Sequence, residues 1–224
     1  MLKYLTLNTS VEWICFIIAC ICLIKDKSPV WRSMILYLLI TCVSETLGIH
    51  IKLQYMADPV NVLPNVWVYN ILLIFQAGFI STMFLFLLKV RLKGSPLILM
   101  GLALLSILYV YEQFEHGLFK KHAVTTIVMS ILFILYSYYY FYLLLKDEEY
   151  INLKYYPAFW WVAGVLFFYF GAIISNLFYE KIRDFVTGPK PYIKYIYNVL
   201  NILLYGCWSY SFILRKWARP KSEI

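Results

Sequence analysis

Seven polar side chains that lipid should exclude, Glu12, Glu45, Asn70, Gln76, Asn176, Asn198 and Asn201, stand inside long apolar runs of this 224-residue chain. Even on insertion scales a charged side chain at the bilayer centre costs about 2.5–3.5 kcal/mol, so it turns to the interior of a helix bundle or to water. Asn198, Asn201, Tyr205 and Ser209 recur at helical spacing on the last run, and Asn70, Ala77 and Ser81 on the third. With these stripes facing each other, Glu12, Glu45, Asn70, Gln76, Asn176, Asn198, Asn201 and Tyr205 line a polar cavity able to bind a small polar solute or a proton. Glu45, which with Gln76 and Asn201 falls nearer the midplane, is the residue to carry a proton through a transport cycle. The competing reading is that the amides and hydroxyls only join helices, at about 0.6 kcal/mol per interhelical hydrogen bond.

Other chemistries find weaker footing. Glu112 and His116 are four apart and His122 is near, but no recognised zinc spacing occurs, so no metal site and no cofactor are expected. The acidic cluster Asp147-Glu148-Glu149 reads as a solvated helix end. Cys15, Cys20, Cys22, Cys42 and Cys207 all fall inside apolar runs, odd in number and without a CxxC, which makes them small apolar fillers. Cys20 ends a run resembling a lipoprotein cleavage box, yet Glu12 interrupts that run, so the first helix is expected to remain uncleaved. No catalytic residue is assigned, and an enzyme is not expected.

Apolar residues make up 62% of the chain and charged ones 14%, against roughly 25% charged in a soluble domain. The charge-poor stretches number seven, and a span takes about 20 residues, which the first and fourth reach by borrowing polar flanks. Backbone groups left unpaired in lipid are too costly for anything but helices at this length. The expectation is therefore an all-α polytopic protein with seven transmembrane helices, in a cell membrane such as a bacterial inner membrane. No connection is long enough for a soluble domain. The net charge of +8 sits in turns rather than in a patch for nucleic acid. With the N-terminus outside, twelve of the basic residues fall on the inner side and eight on the outer, favouring N-out/C-in.

The third and seventh runs also match each other at an offset of 128: Tyr69/Tyr197, Asn70/Asn198, Leu72/Leu200, Ile74/Ile202, Gly78/Gly206, Ser81/Ser209 and Phe84/Phe212. Thr41, Ser44, Glu45 and Gly48 repeat in spacing as Ala172, Ser175, Asn176 and Tyr179, and Leu23-Ile24-Lys25-Asp26 as Leu144-Leu145-Lys146-Asp147. A duplicated unit follows: residues 1–90 as one three-helix unit, 95–115 as a lone connector, 122–217 as the second unit, and 218–224 as a short cytoplasmic tail. The odd connector lets both units enter the membrane in the same sense, a 3+1+3 parallel repeat. Gly78, Gly164, Gly171 and Gly206 are expected at close helix crossings. The 44 aromatic residues are expected in core and interfacial belts.

In topology alone, this plan resembles that of the SWEET and PQ-loop transporters and the KDEL receptor, although no Pro-Gln dipeptide occurs. The segments VEW, SET, VYN and FWWVAGVLFFYFG look like those of small bacterial seven-helix membrane proteins of no assigned function. The functional expectation is a carrier or binder of a small solute, with proton coupling through Glu45. The alternative is a membrane sensor or accessory subunit that acts through protein partners at its basic inner face.

Overall fold

A computed structural model describes residues 6–89, 95–146, 152–177 and 191–217. Within them lie seven α-helices and no strand: α1 (Leu7–Leu23), α2 (Pro29–Ala57), α3 (Val66–Lys89), α4 (Ser95–His116), α5 (Ala123–Lys146), α6 (Pro157–Leu177) and α7 (Pro191–Trp217). A short 3-10 turn, Leu153–Tyr155, precedes α6. The acidic cluster at 147–149, the connection at 178–190 and the tail at 218–224 lie outside the described residues.

Five of the helices, α2 to α6, are long and apolar enough to cross a membrane, which is compatible with a multi-pass membrane protein. Two of the seven expected spans fall short of that measure for different reasons. α1 is apolar but has only 17 residues. α7 has 27, but its two asparagines, its tyrosines and its serines dilute the apolar content.

Local chemistry sets the helix starts. Thr6 and Thr9 form a reciprocal cap on α1, with Thr9 N–H donating to Thr6 Oγ1 at 3.3 Å and Thr6 N–H to Thr9 Oγ1 at 2.9 Å. Pro29 and Pro157 open α2 and α6 where a missing N–H costs nothing. At the end of α4, Gly117 takes φ +69°, the left-handed cap that a Cβ would strain.

On α1 burial runs opposite to that of a soluble helix. On α1 the inner face carries Glu12, Cys15, Ala19 and Cys22, while Ile14, Ile17, Ile21 and Ile24 point outward. None of the five cysteines forms a disulfide. The neighbours form a closed ring in the order α1, α2, α3, α5, α6, α7 and back to α1, with α4 outside it against α3 and α5 alone among the principal packings. Among the ring neighbours α6 and α7 share the most extensive packing, and α3 and α5 the least.

At the end of the ring where α1 finishes and α2 begins, aromatic rings fill the centre. Trp161 and Trp208 stack at 5.6 Å, Phe84 meets Trp161 edge-on at 5.4 Å, and Trp31 meets Phe212 at 6.4 Å. Below them Arg215 Nε donates to Asp26 Oδ2 at 3.1 Å, and the guanidinium lies 5.4 Å over Trp31.

Of the glycines expected at crossings, Gly164 and Gly171 are there. A Cβ on Gly164 would stand 3.0 Å from Cys207 Cβ and 3.2 Å from the Leu204 carbonyl, and one on Gly171 would meet Leu200. Gly78 and Gly206 meet nothing within 4 Å, so the glycines that repeat are not packing contacts.

Candidate functional site

Above the aromatic floor, the half of the ring that holds the N-termini of α1, α3, α5 and α7 encloses a cavity of about 540 Å³. Every helix except α4 contributes to its wall. α1 supplies Asn8 and Glu12 one turn apart, and α2 supplies Tyr37, Thr41 and Glu45 on one stripe. α3 turns Tyr69, Leu73, Gln76 and Ile80 inward, and α7 does the same with Tyr197, Asn201, Leu204, Tyr205 and Trp208. Met129, Ser130 and Tyr169 complete the wall from α5 and α6, and the exposed Lys121 stands where the cavity reaches the surface.

The two acids meet there. Glu12 is 3% exposed, faces the Tyr205 side chain, and is close enough to Glu45 for their charges to interact. Its Oε2 is buried without a hydrogen-bond partner, and so is Asn8 Oδ1. A buried carboxylate oxygen and an amide oxygen left unpaired forfeit their hydration with nothing in return. Glu45 Oε2 accepts from Tyr69 Oη at 3.2 Å, and Tyr69 is wedged over Gly48, whose absent Cβ would stand 2.6 Å from that hydroxyl. Across the cavity Gln76 Nε2 donates to Tyr169 Oη at 2.7 Å. Tyr37 and Tyr205 meet the Trp208 ring at 5.9 and 5.8 Å, inclined at 65° and 88°.

Of the eight residues that the sequence nominated, Glu12, Glu45, Asn70, Gln76, Asn201 and Tyr205 border one cavity. Asn198 is half-buried on α7 and is not part of the wall. Asn176 is in the last turn of α6, and its side chain lies outside the described residues. Asn70 borders the cavity, but its amide is committed elsewhere. Its Nδ2 donates to the Leu118 carbonyl at 2.7 Å and the Lys120 carbonyl at 2.8 Å, and its Oδ1 accepts from His122 N–H at 3.3 Å. The expected stripe Asn70, Ala77, Ser81 is therefore not the face α3 presents to the cavity; Ala77 and Ser81 pack in the core.

Glu112 is likewise committed, to the N-terminus of α5. Its carboxylate accepts from Val124 N–H at 3.0 Å, Thr125 N–H at 2.9 Å and the Thr125 hydroxyl at 2.6 Å. His122 is buried against Tyr109 at 4.6 Å, and no group of three potential metal ligands forms among the described residues. Sequence reading missed Tyr37, Tyr69, Tyr169 and Trp208 in the wall. The one signal for Tyr37 was its place a turn before Thr41 and two before Glu45.

Compared with known proteins, the chain matches no family model, no curated protein and no solved structure.

Proposed function

We propose that this chain is a seven-span membrane protein that binds and carries a small polar solute in the cavity between two three-helix units, without catalysing a reaction. The observation that carries this reading is the convergence of two membrane-embedded acids, four amides and several tyrosines on one space of about 540 Å³, within the roughly 300–1,000 Å³ range of small-molecule sites. A bundle held together by polar contacts alone has no use for such a space.

Several features support the repeat. In the ring order α1, α2, α3, α5, α6, α7, each three-helix unit occupies one continuous arc, and the unpaired α4 stays outside. At the offset of 128, Tyr69 and Tyr197 both line the cavity, Phe84 and Phe212 are both fully buried, and Ile74 and Ile202 both face outward. Thr41 and Ala172, paired by the sequence, both line it too. α1 spans about 25 Å at 1.5 Å per residue, enough for a span once its capped flanks are included.

With the N-terminus outside, as the basic residues favour, the cavity opens outward and the aromatic floor closes the inner side. Glu45 is the candidate proton carrier. The test is a screen of small solutes for stabilisation of the purified chain and for uptake into proteoliposomes, repeated with Glu45→Gln and Asn201→Ala. A solute whose binding falls by about tenfold or more in both supports the reading. Solutes that bind or cross equally well in both variants sink it.

A further inference from the structure

Resting on the solute-cavity reading, we propose that the ligand is a small organic cation, an amine or quaternary ammonium compound. Three independent features of the wall point to positive charge. First, it carries two carboxylates, Glu12 and Glu45, against one basic side chain, and that one, Lys121, stands exposed at the surface end. Second, the unpaired groups inside are acceptors. Glu12 Oε2 and Asn8 Oδ1 lie one turn apart on α1, both buried and both lacking a donor. A ligand that brings N–H donors or a positive charge satisfies them.

Third, the floor of the cavity is aromatic. Tyr37, Tyr205 and Trp208 line it together, with the two tyrosines inclined to Trp208 at 65° and 88°. The face of an aromatic ring is the negative end of its quadrupole, and cages of such faces recognise ammonium groups. The choice between an inorganic and an organic cation follows from the same walls. Calcium takes six to eight oxygen ligands and magnesium an octahedral six. Here the wall carries only two carboxylates, no group of three acidic, His or Cys ligands forms among the described residues, and much of the remaining surface is Tyr, Trp, Phe and Leu, which suits an apolar body behind a charged head.

The experiment has two arms. In the first, the full chain in detergent is titrated with choline, tetraethylammonium and a primary diamine, and with 3,3-dimethylbutanol, the uncharged carbon analogue of choline, while thermal unfolding is followed. At least one cation is expected to raise the unfolding temperature where the neutral analogue does not. Glu12→Gln and Glu45→Gln should each weaken that response by about tenfold or more. No response to any cation, an equal response to the neutral analogue, or a response indifferent to both substitutions overturns the proposal.

In the second arm Ala172→Cys, on the α6 wall, is treated with methanethiosulfonates that carry either a trimethylammonium or a sulfonate group, with the unsubstituted chain as background. Faster modification by the cationic reagent supports the proposal. Equal rates, or preference for the sulfonate, overturn the cation assignment while the solute cavity stands. Modification by neither reagent overturns both, because the cavity is then closed to solutes of any charge.

Discussion

Asn70 and Gly48 show how residues beside the cavity differ from residues of the cavity. The Asn70 amide holds two loop carbonyls and one N–H across the α4–α5 turn. Truncation strands those groups, at about 1–3 kcal/mol for a buried unsatisfied partner. Asn70→Ala is therefore expected to lower stability in thermal or denaturant unfolding while ligand affinity changes little. Gly48→Ala should do the reverse in proportion. A Cβ 2.6 Å from Tyr69 Oη forces the phenol aside, and the bond to Glu45 goes with it, so ligand affinity falls more than the roughly 1–3 kcal/mol of overpacking would suggest. The acids, Gln76, Asn201 and Tyr205 were legible in the sequence because lipid makes such groups costly wherever they stand. Asn70 was legible for the same reason, but its partners were not, since an amide costs lipid the same whether its partner is a solute or a loop carbonyl. Tyr37, Tyr69, Tyr169 and Trp208 were hidden by number, because 44 aromatic residues give no sign of which few face inward.

Among the elements, α5 depends on a neighbour for its beginning. Glu112 reaches from α4 to cap the first turn of α5, where a negative charge also complements the helix dipole. Glu112→Ala is expected to cost about 0.5–2 kcal/mol, with Glu112→Gln retaining part of it, as read by unfolding of the two variants side by side. The glycines give a paired contrast. Gly206→Ala, exposed and clear of neighbours, should be neutral or should gain up to about 1 kcal/mol from helix propensity. Gly164→Ala, against Cys207 and the Leu204 carbonyl, should destabilise the α6–α7 crossing. The seven helices themselves were readable from the charge-poor runs. Which glycines sit at crossings was not, because a small residue marks a close approach only once its partner helix is known. The count of spans divides for a similar reason: α7 places its polar face on a cavity, and that lowers its average without moving it out of the bundle.

For the molecule as a whole, the cavity and the aromatic floor divide the ring into an open end and a closed one. The Asp26–Arg215 pair latches the closed end, joining the α1–α2 turn to the end of α7, with Asp26 nearly buried and Arg215 partly exposed. Asp26→Ala should cost less than the about 3–5 kcal/mol of breaking a fully buried pair. It should also let thiol reagents reach Ala172→Cys from the side that Trp31 and Phe212 now block, measurable in vesicles of known orientation. The two sides of the ring are packed unequally. α1 lies broadly on α7, whereas α3 and α5 share less, meeting through Phe84 against Phe133 and Tyr136, with α4 packed on both. That unevenness makes the α3–α5 side, the one α4 covers, the weaker edge of the bundle.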